Sequence, residues 1–268
     1  MAIYDCFLFN DENTILEIRL NELNKYVDYF VIIESKFNHQ NKVKNQKINN
    51  KLLQKFKDKI IYKYIDKNFN NFSSWEIENF QRNYIFNSLK QCNSNDIVLI
   101  SDLDEIPNLT DINFSEIKNE VLAFSQIHTM YKLNLLRERN WIGTKLCRFK
   151  NLKSPQWLRN LKTHKSYPFY RIDKIFFSKN YYKNIKIIQN GGWHFGWLRN
   201  TDQILEKIKS FAHTEFLKSK LNNRDHIETC IKNNINFINN EKLEKLDTLF
   251  LPSYIQKNLK NYKDFLDF

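Results

Sequence analysis

Residues 96–107 read DIVLISDLDEIP, and the fold class turns on them. Four apolar residues, Ile97 to Ile100, run into three acidic ones, Asp102, Asp104 and Glu105. The run is too short for a long helix and is bounded by Asn-Ser-Asn before and Ile-Pro after, so it reads as a buried strand. Acidic groups just past the carboxyl end of such a strand sit where open α/β sheets bind ligands.

Working back from that strand, IYDCFLF at 3–9 and VDYFVIIES at 27–35 read as further strands, the second with Glu34 near its end. Between them Ile15, Leu16, Leu20, Leu23 and Tyr26 recur at helical spacing. Residues 38–58 are polar and Lys/Asn-rich, a loop followed by a helix, and IIYKYI at 60–65 is a short strand. A long helix is expected from Ser73 to Cys92, capped by Ser74 and carrying Ile77, Phe80, Tyr84, Ile85 and Leu89 inward. Strand and helix thus alternate through the first 105 residues, the pattern of a doubly wound α/β sheet.

After Pro107 the pattern changes. Residues 121–136, 145–149, 169–172 and 184–188 look like β structure, and a Gly-Gly turn leads into WHFGWL at 193–198. Helical periodicity returns at 202–221 and 225–235, and 241–268 reads as a helical extension packed on the outside. The expectation is one domain over 1–268. A nucleotide-binding half spans about 1–110, and an acceptor half about 111–240.

Composition narrows the class. Of 268 residues, 42% are hydrophobic and only 4 are Gly and 4 Pro, which supports a large core and leaves little flexible linker. No run approaches a membrane span, and the start MAIYDCFLFN lacks the basic region of a signal peptide. Cys6, Cys92, Cys147 and Cys230 form no C-x-x-C pair, so reduced thiols in the cytoplasm are expected rather than a zinc ribbon or a disulfide framework. The net charge of +12 favours an anionic partner: a nucleic acid, an anionic membrane or a phosphorylated substrate. Lys and Asn enrichment also follows from an AT-rich genome, so charge does not choose among these. No glycine-rich dinucleotide or P-loop fingerprint occurs, and any nucleotide must be held by side chains and a metal.

Four constellations carry chemistry. Asp102 and Asp104 can aim at one hard cation, Mn²⁺ or Mg²⁺, bound by carboxylates and substrate phosphate oxygens. Terminating the strand is the alternative role. In GGWHFGW (191–197), His194 can ligate a metal or donate to phosphate, and Trp193 can stack on a sugar. A core histidine and a core tryptophan fit the same letters. Arg82, in Gln81-Arg82-Asn83, can grip a phosphate or lie on the surface. In KIKSFAHTEF (207–216), Lys209, His213 and Phe216 share a helix face that can neutralise a leaving diphosphate or simply be solvated.

Taken in order, these pieces resemble glycosyltransferase family 17. The resemblance rests on YDCFLFNDE at 4–12, LEIRL at 16–20, VDYFVIIES at 27–35, QRN at 81–83 and DIVLISDLDEIP at 96–107. It continues through WIGTKL at 141–146, GGWHFGWL at 191–198 and KIKSFAHTEF at 207–216. It implies a GT-A-like fold with a mixed sheet and inverting transfer from a nucleotide sugar, UDP-GlcNAc by family, to a glycan acceptor. It implies a metal at Asp102, Asp104 and His194, and donor contacts from Glu34, Arg82, Asp102, Trp193 and His213. For the base that deprotonates the acceptor hydroxyl the candidates are Glu215, first because it lies in a shared stretch, then Glu105 and Asp225. Trp141 and Trp193 are expected to wall off water. Animal members carry a membrane anchor and stem, whereas this sequence opens directly on its first strand. The expected setting is therefore cytoplasmic surface-glycan synthesis, with peripheral contact to an anionic membrane compatible with the charge. Two other classes share features: a metal-dependent hydrolase, which needs no acceptor, and a basic nucleic-acid binder, which leaves the D-x-D without a purpose.

Overall fold

The computed structural model describes residues 1–44, 47–163, 181–210, 221 and 223–267, with only the backbone at 209 and 210. Its first half is β1 (Ile3–Phe9), α1 (Asn13–Leu23), β2 (Tyr29–Ser35), α2 (Asn50–Lys55), β3 (Ile60–Ile65), α3 (Ser74–Asn83) and β4 (Ile97–Asp102). The four strands lie in the order β3-β2-β1-β4 and are all parallel. Their apolar runs follow from burial on both faces. Ile97 and Leu99 point to the core beneath α1, while Val98 and Ile100 point to the core beneath α3. Because β2 flanks β1 on one side and β4 on the other, the winding reverses between β1 and β4. Their carboxyl ends open the crevice where such sheets bind ligands.

The second half is β5 (Glu105–Pro107), β6 (Val121–Met130), β7 (Leu135–Arg148), α4 (Pro155–Asn160), β8 (Ile185–Ile188) and β9 (Gly192–Gly196). It ends with α5 (Thr201–Ser210), α6 (Arg224–Lys232), β10 (Glu244–Lys245) and α7 (Ser253–Lys257). The sheet continues β4-β7-β6-β9-β5, so ten strands form one mixed, GT-A-like sheet. β7 runs antiparallel to β4 and β6, β9 parallel to β6, and β5 antiparallel to β9.

Several boundaries differ from the sequence reading. Ser73, not Ser74, caps α3: its hydroxyl accepts from Glu76 N–H at 3.3 Å, and the Glu76 carboxylate accepts from Ser73 N–H at 2.8 Å. This capping box leaves Ser74 inside the first turn. The expected long helix stops at Asn83 and tightens into a 3-10 turn over Tyr84–Ser88. The expected strand 121–136 breaks at Tyr131, whose φ of +64° belongs to a left-handed turn. Residues 135–148 then form one continuous strand. The C-terminal stretch is less helical than expected: β10 pairs with β7, and α7 is followed by a 3-10 segment over Leu259–Phe265. The expected strand at 169–172 and the far end of the 202–221 helix lie outside the described residues.

Candidate active site

The acidic turn after β4 is gripped from both faces. On the α1 face, the Arg19 guanidinium meets the Asp5 carboxylate through Nε at 2.8 Å and Nη2 at 2.6 Å. It also donates to the carbonyls of Asp102, Leu103 and Glu105 at 2.9, 3.1 and 2.9 Å and to Ser101 Oγ at 2.6 Å. Arg19 and Asp5 are both fully buried.

Strand alternation sends Asp102 to the opposite face. There Asp102 Oδ1 accepts from Arg82 Nη2 and Oδ2 from Arg159 Nη2, each at 2.7 Å. Burial alone would raise this carboxyl, but Arg159 and Arg82 outweigh it and hold the Asp102 pKa down at about 2. Glu105 is buried, with Oε1 accepting from Trp141 Nε1 at 2.8 Å and Arg159 at 2.9 Å, and Oε2 accepting from Asp102 N–H at 3.2 Å. Arg82 also meets Glu78 and Gln156. Behind Arg159, the buried Lys145 donates to its carbonyl at 2.7 Å. Burial, then the Arg159 charge, lowers the Lys145 pKa to about 8.

Asp104 has different company. Its Oδ2 lies 3.6 Å from His194 Nε2 and 3.7 Å from Lys207 Nζ. Burial pushes this carboxyl up, but His194 and Lys207 outweigh it and hold it well below the usual carboxylate range. The pairing of β5, β9 and β6 places Glu105, His194 and His128 side by side. The His194 ring stacks on His128, with centroids 4.0 Å apart, and tilts against Trp141 at 4.7 Å. His128 Nδ1 meets Glu138 at 3.1 Å. Burial and the neighbouring His194 lower the His128 pKa to about 4, so it is neutral near pH 7. Lys207, on α5, also reaches Glu12 at 2.9 Å, and Arg199 joins Glu12 and Asp11 from the same side. A mixed cluster of carboxylates and cations therefore closes the crevice at the ends of β1 and β4.

Two glycines lie close against this packing. A Cβ on Gly143 would stand 1.8 Å from Gln126 Oε1, and one on Gly196 would stand 2.6 Å from His128 Nε2.

The structure thus gathers Asp102, Asp104, Glu105, Arg82 and His194. Glu34 is buried at the end of β2, opposite Phe9 in register, and accepts the Tyr62 hydroxyl at 2.7 Å. Trp193 faces the other way: its ring lies in the α1-side core and its Nε1 donates to Phe250 O at 2.6 Å. Of the two expected water-excluding tryptophans, Trp141 is the one beside His194. Asp225 is exposed in the first turn of α6. His213 and Glu215 lie outside the described residues, and so does the far part of the stretch that contains them. Arg19, Asp5, Arg159, His128, Glu12 and Lys207 were not singled out from sequence.

A divalent cation fits part of this set. Asp104 Oδ2 and His194 Nε2 face one another 3.6 Å apart, an oxygen and a nitrogen of two ligand-type side chains. A carboxylate with an imidazole suits Mn²⁺ better than Mg²⁺, which prefers oxygen. Among the described residues no three His, Cys, Asp or Glu side chains gather as a metal cluster. Phosphate oxygens and water would complete the shell of an ion bound there, as is usual for such ions. Asp102 already gives both oxygens to arginines.

A parallel half wound about a switch point, with Asp102 and Asp104 at the carboxyl end of β4, is the arrangement in which open α/β sheets bind their ligands. The model of glycosyltransferase family 17 matches residues 1–266, and the chain belongs to that family. It is a glycosyltransferase, which implies a nucleotide-sugar donor and a glycan acceptor. No curated protein matches the chain. Among the described residues no helix is long and apolar enough to cross a membrane.

Proposed function

We propose that the chain transfers N-acetylglucosamine from UDP-GlcNAc, with inversion, to a hydroxyl of a glycan acceptor in surface-glycan synthesis. The observation that carries this reading is Asp104 standing 3.6 Å from His194 at the carboxyl end of β4, beside an Asp102 gripped by two arginines. Asp104 and His194 hold Mn²⁺ or Mg²⁺ together with the donor diphosphate. The bound cation supplies Lewis-acid neutralisation of the departing diphosphate, worth several kcal/mol.

The chain's own residues do the rest. Asp102 fixes the planes of Arg82 and Arg159, and Lys207 adds a third cation at the crevice. Glu34 and His213 complete the donor contacts. Trp141 covers the reacting face and excludes water, which protects the donor from hydrolysis. Glu215 is the first choice for the base that takes the acceptor proton, with Asp225 behind it. Glu105, whose oxygens accept from Trp141, Arg159 and Asp102, orients these groups rather than moving a proton. Residues 1–110 form the donor half, 111–240 the acceptor half and 241–268 a C-terminal extension. The setting is cytoplasmic, with peripheral contact to anionic membrane.

A thermal-shift panel of UDP- and GDP-sugars, with and without Mn²⁺, tests this reading. Mn²⁺-dependent stabilisation, greatest with UDP-GlcNAc, is expected. No stabilisation by any nucleotide sugar would sink it. Release of free sugar at the same rate with and without acceptor would mark a hydrolase instead.

A further inference from the structure

Arg19 is placed like no other cation among the described residues. It sits on a helix face otherwise filled by Ile15, Leu16, Leu20 and Leu23, and it is fully buried. Its guanidinium lies over the Phe7 ring, 4.5 Å from the centroid. A guanidinium has five N–H donors, and here they reach six acceptors. Two are the Asp5 oxygens, one is Ser101 Oγ, and three are the carbonyls of Asp102, Leu103 and Glu105.

Those three carbonyls belong to the turn that carries Asp104. Buried carbonyls need partners, and a three-residue strand such as β5 supplies few ladder bonds of its own. The planar fork of arginine spans this set, whereas the point charge of lysine cannot. Asp5 fixes the fork in turn: it lies one strand away on β1, and among the described residues its ion-pair partner is Arg19.

We infer that Arg19, held by Asp5, is a positioning residue that sets the Asp102–Glu105 turn and so the placement of Asp104 against His194. It touches no substrate. Its effect reaches the cation and the donor diphosphate through the backbone, and it rests on the reading of Asp104 as a metal- and donor-binding carboxylate.

The test uses the full chain with Arg19→Lys, Ser101→Ala and Asp104→Ala. Mn²⁺ binding to the protein alone is followed by calorimetry, and amide exchange is followed by mass spectrometry. Folded Arg19→Lys should bind Mn²⁺ roughly tenfold or more weakly, the usual loss when a support behind a metal ligand is changed. Amide exchange should speed up in residues 101–107 and stay unchanged in β2 and β3. Ser101→Ala removes a single acceptor and should show a smaller loss in the same direction. Wild-type Mn²⁺ affinity and wild-type exchange in residues 101–107 for folded Arg19→Lys overturn the proposal. If Arg19→Lys does not fold, the same result for Ser101→Ala overturns it. An Asp104→Ala protein that binds Mn²⁺ as tightly as wild type sinks the donor-site reading instead, and the exchange data then judge Arg19's hold on the turn separately.

Discussion

The two aspartates of one D-x-D turn live in opposite electrostatic worlds. Asp102 has an arginine at 2.7 Å on each oxygen. Among the described residues Asp104 has a histidine and a lysine at 3.6 and 3.7 Å, both longer than a strong charged hydrogen bond. The difference teaches a division of labour. On the arginine side the charges are already spent on one another, so that side is framework. On the histidine side the charge is matched at longer range, so that side can exchange a present neighbour for a ligand.

The largest expected effect falls on the histidine side. Asp104→Ala should weaken Mn²⁺-dependent donor binding by roughly 100-fold or more while leaving the fold intact, as read by calorimetry with a UDP-sugar. Normal binding would erase the contrast.

On the arginine side the effect should be on stability. Arg159→Met takes the cation from the buried Glu105 and from one oxygen of Asp102. Breaking a buried pair from one end costs about 3 kcal/mol, readable as a lower denaturant midpoint. A stable variant that loses donor affinity would show that this side also faces ligand.

Lys145 gives the same side a pH signature. Its folded pKa, at about 8, lies below the ordinary lysine value near 10.4. Between those values the unfolded chain binds the extra proton, so stability rises with pH across the window; below about 8 the cost of the buried charge is present in full. Relative to Lys145→Met, wild type should gain about 2 kcal/mol between pH 8 and pH 10. Equal slopes in urea titrations would show that Lys145 is not desolvated as described.

The smallest effect sharpens the contrast most. Lys207 competes for Asp104 with any incoming cation, but it is held closer to Glu12, at 2.9 Å against 3.7 Å, so removing its charge is worth only about 1 kcal/mol to a cation at Asp104. Lys207→Met should bind Mn²⁺ about fivefold more tightly in the absence of donor, measured by calorimetry. Weaker binding would mean that Lys207 helps to build the site rather than guarding it.

The parallel half was legible because its signals are local. Apolar runs of strand length, helical spacing and a break into acid at Asp102 each stand in a few adjacent residues. The supports of the turn were not, because they are pairings across the chain. Asp5 and Arg19 are 14 residues apart, and Arg159 meets Asp102 across 57. A signal did exist for the first pair: a charged residue in the middle of an apolar strand and another on the apolar face of a helix, neither tolerable alone in a core. Arg159, in a short helix with no apolar stripe, gave none. His128 was hidden for another reason. Its role depends on β6 lying beside β9, and strand order in the second half does not follow chain order. Trp193 and His194 show the limit of reading a motif as a unit, since alternation along a strand sends adjacent residues to opposite faces.

β5 is only three residues long, yet it joins two motifs far apart in sequence. Glu105, Ile106 and Pro107 pair with His194, Trp193 and Gly192; Phe195 N–H reaches Asp104 O at 2.9 Å, and Asn108 N–H reaches Gly191 O at 2.9 Å. Gly192 itself, at φ +124°, has room for no Cβ beside Ile106 O. The two segments therefore behave as one part in the engineering sense. A chimera that imports residues 96–107 from a relative with a different 191–197 stretch inherits half a component, whereas one that imports both keeps the working joint. Recombination libraries built on this fold should place their crossovers so that the two segments always travel together.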